Sequence, residues 1–293
     1  MTAYDTRPTI GSLFAGIGGL DLGFERAGWR TEWQVEINPV NRAVLADRFP
    51  GAERFCDVRE AGRDHLLPVD CIAAGFPCQD FSNAGHRPGE KRPGLKGKKS
   101  SLFFEVLRIL DEIQPEWVVL ENVASMVSHG QGASLQKVVR SLAERGYLGC
   151  FRVLDSRYFG VPQKRRRVFV VGRLGKEPPM ELFFDASPMG PISGPLDPRE
   201  GVEGHLWPAP TLQAINANSR LGLSNQLLVT EEDGWGEMVE RSRKSQDHGL
   251  CLGLDEANLA ESFAAGNAIC PQVAEWIGNI IRSEIQTTRK EAA

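Results

Sequence analysis

Residues 8–24 read PTIGSLFAGIGGLDLGF, a β-like run that passes straight into a glycine cluster and then an apolar helical stretch. Strand, tight turn and helix in that order open a βαβ unit. Glycines 16, 18 and 19 at such a turn either bring the backbone close to a ligand at the carboxyl end of a sheet or simply close the turn. A dinucleotide-phosphate pattern needs a further glycine where Asp21 stands, and no Gly-Lys-Ser/Thr triplet occurs. A pyrophosphate and a nucleoside triphosphate are therefore both disfavoured.

The alternation continues outward from this turn. A short helix is expected over 19–28, a strand over 31–36 (TEWQVE), and a helix over 38–49 opened by Asn38 with Pro39 in its first turn. A third strand precedes Asp57. VDCIAAGF (69–76) is a buried strand that stops at Pro77. SLFFEVLRILDEI (101–113) is helical, with Leu102, Val106, Ile109, Leu110 and Ile113 on one stripe. WVVLEN (117–122), LGCFRVL (148–154) and RVFVVG (167–172) are strands, and SLQKVVRSLAERG (134–146) is a helix ended by Gly146. Strands alternating with helices imply an α/β fold, a mostly parallel sheet covered on both faces. Beyond Lys176 the sequence is rich in Pro, Gly and Ser with no sustained period, until a helical stripe returns over 271–285 with Val273, Trp276, Ile277, Ile280 and Ile281. This divides the chain into 1–175 plus 263–293, the sheet domain, and 176–262, a second, small irregular domain.

Glu36 stands at the end of the second strand, 18 residues beyond Gly18, where a carboxylate can accept both ribose hydroxyls of an adenosine. Asp57, after the third strand, is placed to take an adenine amino group. Two carboxylates after successive strands favour an adenosine cofactor without phosphates. Cys78 follows Pro77 in a polar turn, where a thiolate can form. Glu121 follows the apolar run WVVL, whose burial would raise its pKa and favour the acid form.

With 293 residues, 41% hydrophobic and 25% charged, the chain suits one large domain or one plus a small companion. No apolar stretch approaches the roughly 18 residues of a membrane span, and the polar N-terminus is not a secretory signal. Six cysteines, at 56, 71, 78, 150, 251 and 270, form no Cys-x-x-Cys pair and no zinc spacing with the five histidines. No metal is expected, and free thiols point to the cytoplasm. The formal charge of −4 hides a division: 25 Lys and Arg against 20 Asp and Glu over 1–175, but 6 against 15 over 176–262. A nucleic-acid surface is therefore expected on the first part.

FAGIGG (14–19), GFPCQDFS (75–82), ENV (121–123), QKRRRVFVVG (163–172) and GNAICP (266–271) occur in the order found in the DNA cytosine-5 methyltransferases, and the chain resembles that family over 9–175 and 262–285. The resemblance implies a Rossmann-like S-adenosylmethionine-dependent methyltransferase sheet. It implies transfer of a methyl group from S-adenosylmethionine to carbon 5 of cytosine in double-stranded DNA, with the base flipped out of the duplex. Cys78 would be the nucleophile, Glu121 the group on ring N3, Arg167 a donor to the cytosine O2 and Arg165 a support for the same site. Phe14, Gly16, Gly18, Glu36, Asp57, Leu102 and Asn267 match the cofactor positions. Where the family often carries Asp before its Leu-Phe pair, this chain has Ser12. One branch of the family acts on RNA, so a tRNA cytosine-5 methyltransferase is the alternative; the full PCQ and QKRRR motifs resemble the DNA branch, that of bacterial and phage restriction-modification systems.

Residues 86–99 carry six Lys or Arg, one Glu and three glycines directly after the nucleophile motif. By composition this is a solvated loop; the resemblance makes 82–99 a segment that closes on DNA phosphates. The family's target-recognition domain falls in the acidic window 176–262, where Arg220 lies in NANSRLGLSNQ, the one stretch rich in amide and hydroxyl donors. GLDEANLAESFAAGNAI (253–269) stands where the family carries a more basic element. Two explanations fit: a reduced recognition domain that reads a short site, or recognition shared with a protein partner bound through the acidic window.

Overall fold

The computed structural model describes residues 5–77, 102–159, 165–179, 181–184 and 268–291. Cys78, Asn267, the cationic segment 82–99, Arg220 and the part of the 176–262 window beyond Phe184 lie outside the described residues.

Seven strands form one sheet: β1 Thr9–Leu13, β2 Arg30–Val35, β3 Glu53–Phe55, β4 Cys71–Ala74, β5 Trp117–Val123, β6 Tyr147–Asp155 and β7 Arg166–Leu174, in the order β3-β2-β1-β4-β5-β7-β6. The first five run parallel, and β7 is antiparallel to both β5 and β6. The helices are α1 Gly19–Arg26, α2 Pro39–Arg48, α3 Phe103–Ile113, α4 Ala133–Ala143, α5 Glu181–Phe184 and α6 Pro271–Glu291. Uninterrupted apolar runs such as CIAA and WVVL are what a parallel strand needs when both of its faces are covered. Alternation then sorts the side chains. Val118 and Leu120 belong to one buried cluster with Phe103, Val106 and Leu110 of α3 and Val138 of α4, whereas Trp117 and Val119 belong to another with Phe24 of α1 and Ile277 and Ile281 of α6. Each such side chain, fully buried, stabilises the fold by roughly 1.5–3 kcal/mol.

Local signals set the boundaries. Asn38 caps α2 through its side chain, accepting from the backbone N–H of Val40 at 2.9 Å, and Pro39 opens the helix. Gly146 at φ +82° follows α4, whose last helical residue is Ala143. α1 ends at Arg26, two residues short of the expected limit, and Gly28 takes the left-handed conformation after it. α6 is longer than its stripe indicated, running to Glu291. Val273, Ile277 and Ile281 of that stripe are buried; Trp276 and Ile280 only border the core, Trp276 edge-on to Phe159.

α6 packs on α1 at backbone distance. A Cβ at Gly23 would stand 2.4 Å from the Cβ of Ala274 and from the carbonyl oxygen of Pro271, so the crossing requires glycine. At the far end Arg173 of β7, 3% exposed, is paired with Glu116 and Glu284, donates to Thr288, and lies over the Trp117 ring. The C-terminal helix is thereby fixed at both ends, to α1 at its start and to β7 near its end, which holds the residues just before it against the glycine turn.

Candidate active site

Phe55, Val35, Leu13, Ala74 and Leu120 form one register line across the five parallel strands. One residue beyond that line stand Cys56, Glu36, Phe14, Gly75 and Glu121, at the carboxyl edge where ligands of open α/β sheets bind. Sheet register alone therefore lines up three of the expected site residues.

Phe14 leaves β1 with φ +55°, and Gly16 and Gly18 follow at φ +59° and +84°. Gly18 donates to the Ala15 carbonyl at 2.9 Å, closing the turn. A Cβ at Gly18 would stand 2.4 Å from the Phe49 ring, and one at Gly19 would stand 2.3 Å from the Ile269 carbonyl oxygen. Above Gly16 nothing lies within 4 Å of that position. Gly16 is needed for its positive φ, and the space over it is open to a ligand.

Glu36, 8% exposed, is held from both sides: its Oε2 accepts from the Gly16 N–H at 2.7 Å and its Oε1 from the Asn38 N–H at 2.8 Å. A carboxylate fixed by two backbone donors keeps a lone pair on each oxygen for the paired hydroxyls of a ribose. Asp57 lies in the turn after β3, where its carboxylate accepts from the backbone and the guanidinium of Arg59. The Arg59 side chain holds the Asp57 carboxyl below its ordinary value. Leu102 caps α3 and packs, half-buried, on the core beneath. This donor set fits an adenosine: carboxylates for the hydroxyls and the amino group, apolar surface for the base, and a glycine turn at the opening. Ile37, exposed at 64%, stands directly after Glu36 and adds apolar surface to that edge. The sequence reading passed over it, because an isoleucine outside any periodic run carries no signal.

Glu121 is a second buried acid of the row, also 8% exposed, and Arg167 Nε lies 2.9 Å from its Oε1. Burial pushes the Glu121 carboxyl up; the charges of Arg167 and then Arg165 oppose the shift. Arg167 reaches it from β7, where it pairs in register with Val123, while Arg165 precedes that strand and is 8% exposed. The structure thus brings Glu121, Arg165 and Arg167 together, and places Phe14, Gly16, Gly18 and Glu36 around a second part of the same edge. A Cβ at Gly75 would lie 3.1 Å from Ile269 Cδ1 and 3.7 Å from Glu121 Oε2, so the two parts meet at the residue just after β4. Asn122, another residue the sequence reading missed, donates from its side chain to the Phe76 carbonyl at 3.2 Å. It fixes the backbone two residues before Cys78.

Ser12, the departure from the family's usual acid, has its partner on the next helix. Its hydroxyl donates to Asp21 Oδ1 at 2.8 Å, and Gln34 Nε2 donates to the same oxygen at 3.0 Å. All three residues are fully buried beneath the glycine turn. Burial pushes the Asp21 carboxyl up to about 6, against the opposing hydrogen bonds. A carboxyl raised from 3.8 in this way contributes stability that is present below its unfolded value and lost as pH rises through about 6. Relative to Asp21→Asn, the protein is expected to lose about 3 kcal/mol between about pH 4 and about pH 7, with no further loss above. Denaturant unfolding at a series of pH values measures this; parallel stability curves for the two proteins would remove the assignment.

Among the described residues no group of His, Cys, Asp and Glu is arranged to hold a metal ion, and no helix is long and apolar enough to cross a membrane.

The sequence model of C-5 cytosine-specific DNA methylases matches residues 9–191. Type II methyltransferase M2.BsuMI of Bacillus subtilis is 30% identical over 91% of this chain and 73% of its own length. Type II methyltransferase M.NgoBI of Neisseria gonorrhoeae is 38% identical over 55% of this chain and 49% of its own. The chain spans between 39% and 51% of the length of that protein and six other type II methyltransferases it matches. In fold, the crystal structure of S. pombe Dnmt2 methyltransferase is similar over 94% of this chain and 99% of that one, with a TM-score of 0.59 at 16% identity.

Proposed function

Because the chain belongs to the C-5 cytosine-specific DNA methylase family, we propose that it transfers a methyl group from S-adenosylmethionine to carbon 5 of cytosine in double-stranded DNA. The observation that carries this reading is the edge row itself, with the Glu36 carboxylate pinned to the glycine turn and the buried Glu121 paired with Arg167. Bound S-adenosylmethionine supplies an electrophilic methyl group, so no metal is required.

The chain's own residues divide the remaining work. Cytosine carbon 5 is a poor nucleophile until a thiolate adds at carbon 6. Cys78 provides that thiolate, and its attack places an electron pair on carbon 5. Glu121 holds a proton at ring N3, so charge does not build on the ring, while Arg167 donates to the cytosine O2 and Arg165 supports it. After methylation, loss of the carbon 5 proton and departure of the thiolate restore the ring. Glu36 and Asp57 orient the adenosine, Leu102 packs against its base, and Asn267 completes the methionine end. A cytosine in a duplex reaches such a site only when flipped out, at a cost of a few kcal/mol that phosphate contacts from 82–99 help to offset. The 176–262 window is the recognition domain, alone or with a protein partner. The relatives are bacterial type II methyltransferases, which supports a role as the modification half of a restriction-modification system in a bacterial cytoplasm.

The test is methylation of mixed duplex DNA and tRNA with labelled cofactor, followed by bisulfite sequencing of whichever takes the label. Label at cytosine in DNA is expected; label in tRNA alone would move the protein to the RNA-acting alternative, and binding of both without turnover would make it a non-catalytic reader. For the cofactor, Glu36→Ala is expected to raise the dissociation constant for S-adenosylmethionine about tenfold or more, since it removes a charged acceptor and leaves two backbone donors unpaired. Calorimetric titration reads this directly, and an unchanged constant would take Glu36 out of the site.

A further inference from the structure

The turn that carries Asp57 is tethered from a helix fifty residues away in sequence. Between β3 and β4 the chain closes two successive turns: the Asp57 carbonyl accepts from Glu60 and Ala61 N–H, and the Gly62 carbonyl from His65 and Leu66 N–H. The carbonyls of Val58 and Ala61 turn instead to α3, where Arg108 Nη2 donates to both, at 2.7 and 2.8 Å. The guanidinium is fixed before it reaches them. Its Nε donates to Glu105 at 2.8 Å and its Nη1 to Glu112 at 2.8 Å, one turn away on either side along the helix. Glu112 extends the clamp by accepting from the Arg63 N–H at 3.0 Å, and the Arg63 guanidinium returns to the Glu112 carbonyl. Gly62 makes the approach possible: a Cβ there would stand 2.6 Å from Glu112 Oε2 and 3.2 Å from Arg108 Nη1.

Leu102 is the N-cap of the same helix. One rigid element therefore carries both the apolar residue assigned to the adenine and the tether of the carboxylate assigned to its amino group. We infer that Arg108 is a positioning residue for the cofactor: by holding the Val58 and Ala61 carbonyls, it sets the Asp57 carboxylate at a fixed distance from Leu102, and so selects a base that carries an exocyclic amino group. A planar fork with five donors is required, because one guanidinium meets two carbonyls and two carboxylates together; a lysine ammonium has three donors on a flexible stem. The inference rests on the reading of this edge as an adenosine site.

Calorimetry with S-adenosylhomocysteine, and with the same molecule lacking the 6-amino group, tests it on four proteins: wild type, Arg108→Met, Asp57→Asn and the double variant. Arg108→Met is expected to weaken S-adenosylhomocysteine about tenfold, the scale of one lost charge-assisted hydrogen bond, and the analogue less than about twofold. In the Asp57→Asn background Arg108→Met should add less than about twofold, because residues acting through one contact do not add. Equal weakening of both ligands, or full additivity of the two substitutions, would make Arg108 a general structural support and overturn the inference. If Arg108→Met does not fold, Gly62→Ala, which pushes the turn away from the clamp while leaving every charge in place, must reproduce the same ligand selectivity. A wild type that binds neither ligand would instead remove the adenosine site itself, and with it the proposed function.

Discussion

Cys78→Ala is expected to abolish methyl transfer while S-adenosylmethionine binds within about twofold of the wild-type affinity, because the thiol forms the covalent bond and does not hold the adenosine. Among the described residues no cysteine is fitted to replace it. Cys71 is fully buried in β4 with its thiol pushed well up by burial, Cys150 is pushed up to about 11, and Cys270 is also raised. Those three are thiols at neutral pH, and thiols do not add to a pyrimidine ring. Cys56 is exposed, but it follows β3, at the opposite end of the edge row from Glu121. A duplex containing 5-fluorocytosine gives a second readout: with no proton at carbon 5 to lose, the ring cannot expel the thiolate after methylation. Wild type should stay covalently attached in denaturing electrophoresis, and Cys78→Ala should not. Turnover retained by the variant, or a covalent complex that survives the substitution, removes Cys78 as the nucleophile.

The strands and their order of appearance were legible because parallel strands buried on both faces write themselves as unbroken apolar runs, and CIAA and WVVL are such runs. Glu121 was legible for the same reason, as the first charged residue after WVVL, and Glu36 as the carboxylate that closes the strand-like run TEWQVE at the sheet edge. Register is harder to read, since it depends on long-range pairing. The alignment of Glu36, Phe14, Gly75 and Glu121 in one row appears only when Val35, Leu13, Ala74 and Leu120 are paired. Residues that act through the backbone leave no pattern at all. Arg108 sits on a helix among other charges, and nothing in FFEVLRILDEI says that its guanidinium faces two carbonyls between β3 and β4. Asn122 looks like part of a motif and works by holding the Phe76 carbonyl. Ser12 looked like a lost acid, yet the carboxylate is present nine residues later on α1, bonded to the same hydroxyl.

Glu121→Gln is expected to slow methyl transfer by about 10²–10⁴-fold, the range for losing a positioned proton donor. Glutamine keeps the size of the side chain and an N–H that can face the ring, so packing at the end of β5 should persist, but it has no proton to give. Burial raises its pKa, which favours the protonated form, while the Arg167 guanidinium 2.9 Å away opposes that shift. That balance gives a second variant with a sign. Removing the cation in Arg167→Met takes away the largest opposing charge, so Glu121 should hold its proton to higher pH and the alkaline limb of the kcat profile should move upward, even as the rate falls through loss of the contact to the cytosine O2. A kcat for Glu121→Gln within about threefold of wild type would assign the carboxylate to structure. An alkaline limb that stays fixed, or moves down, in Arg167→Met would show that the pair at the end of β5 does not set the proton on which transfer depends.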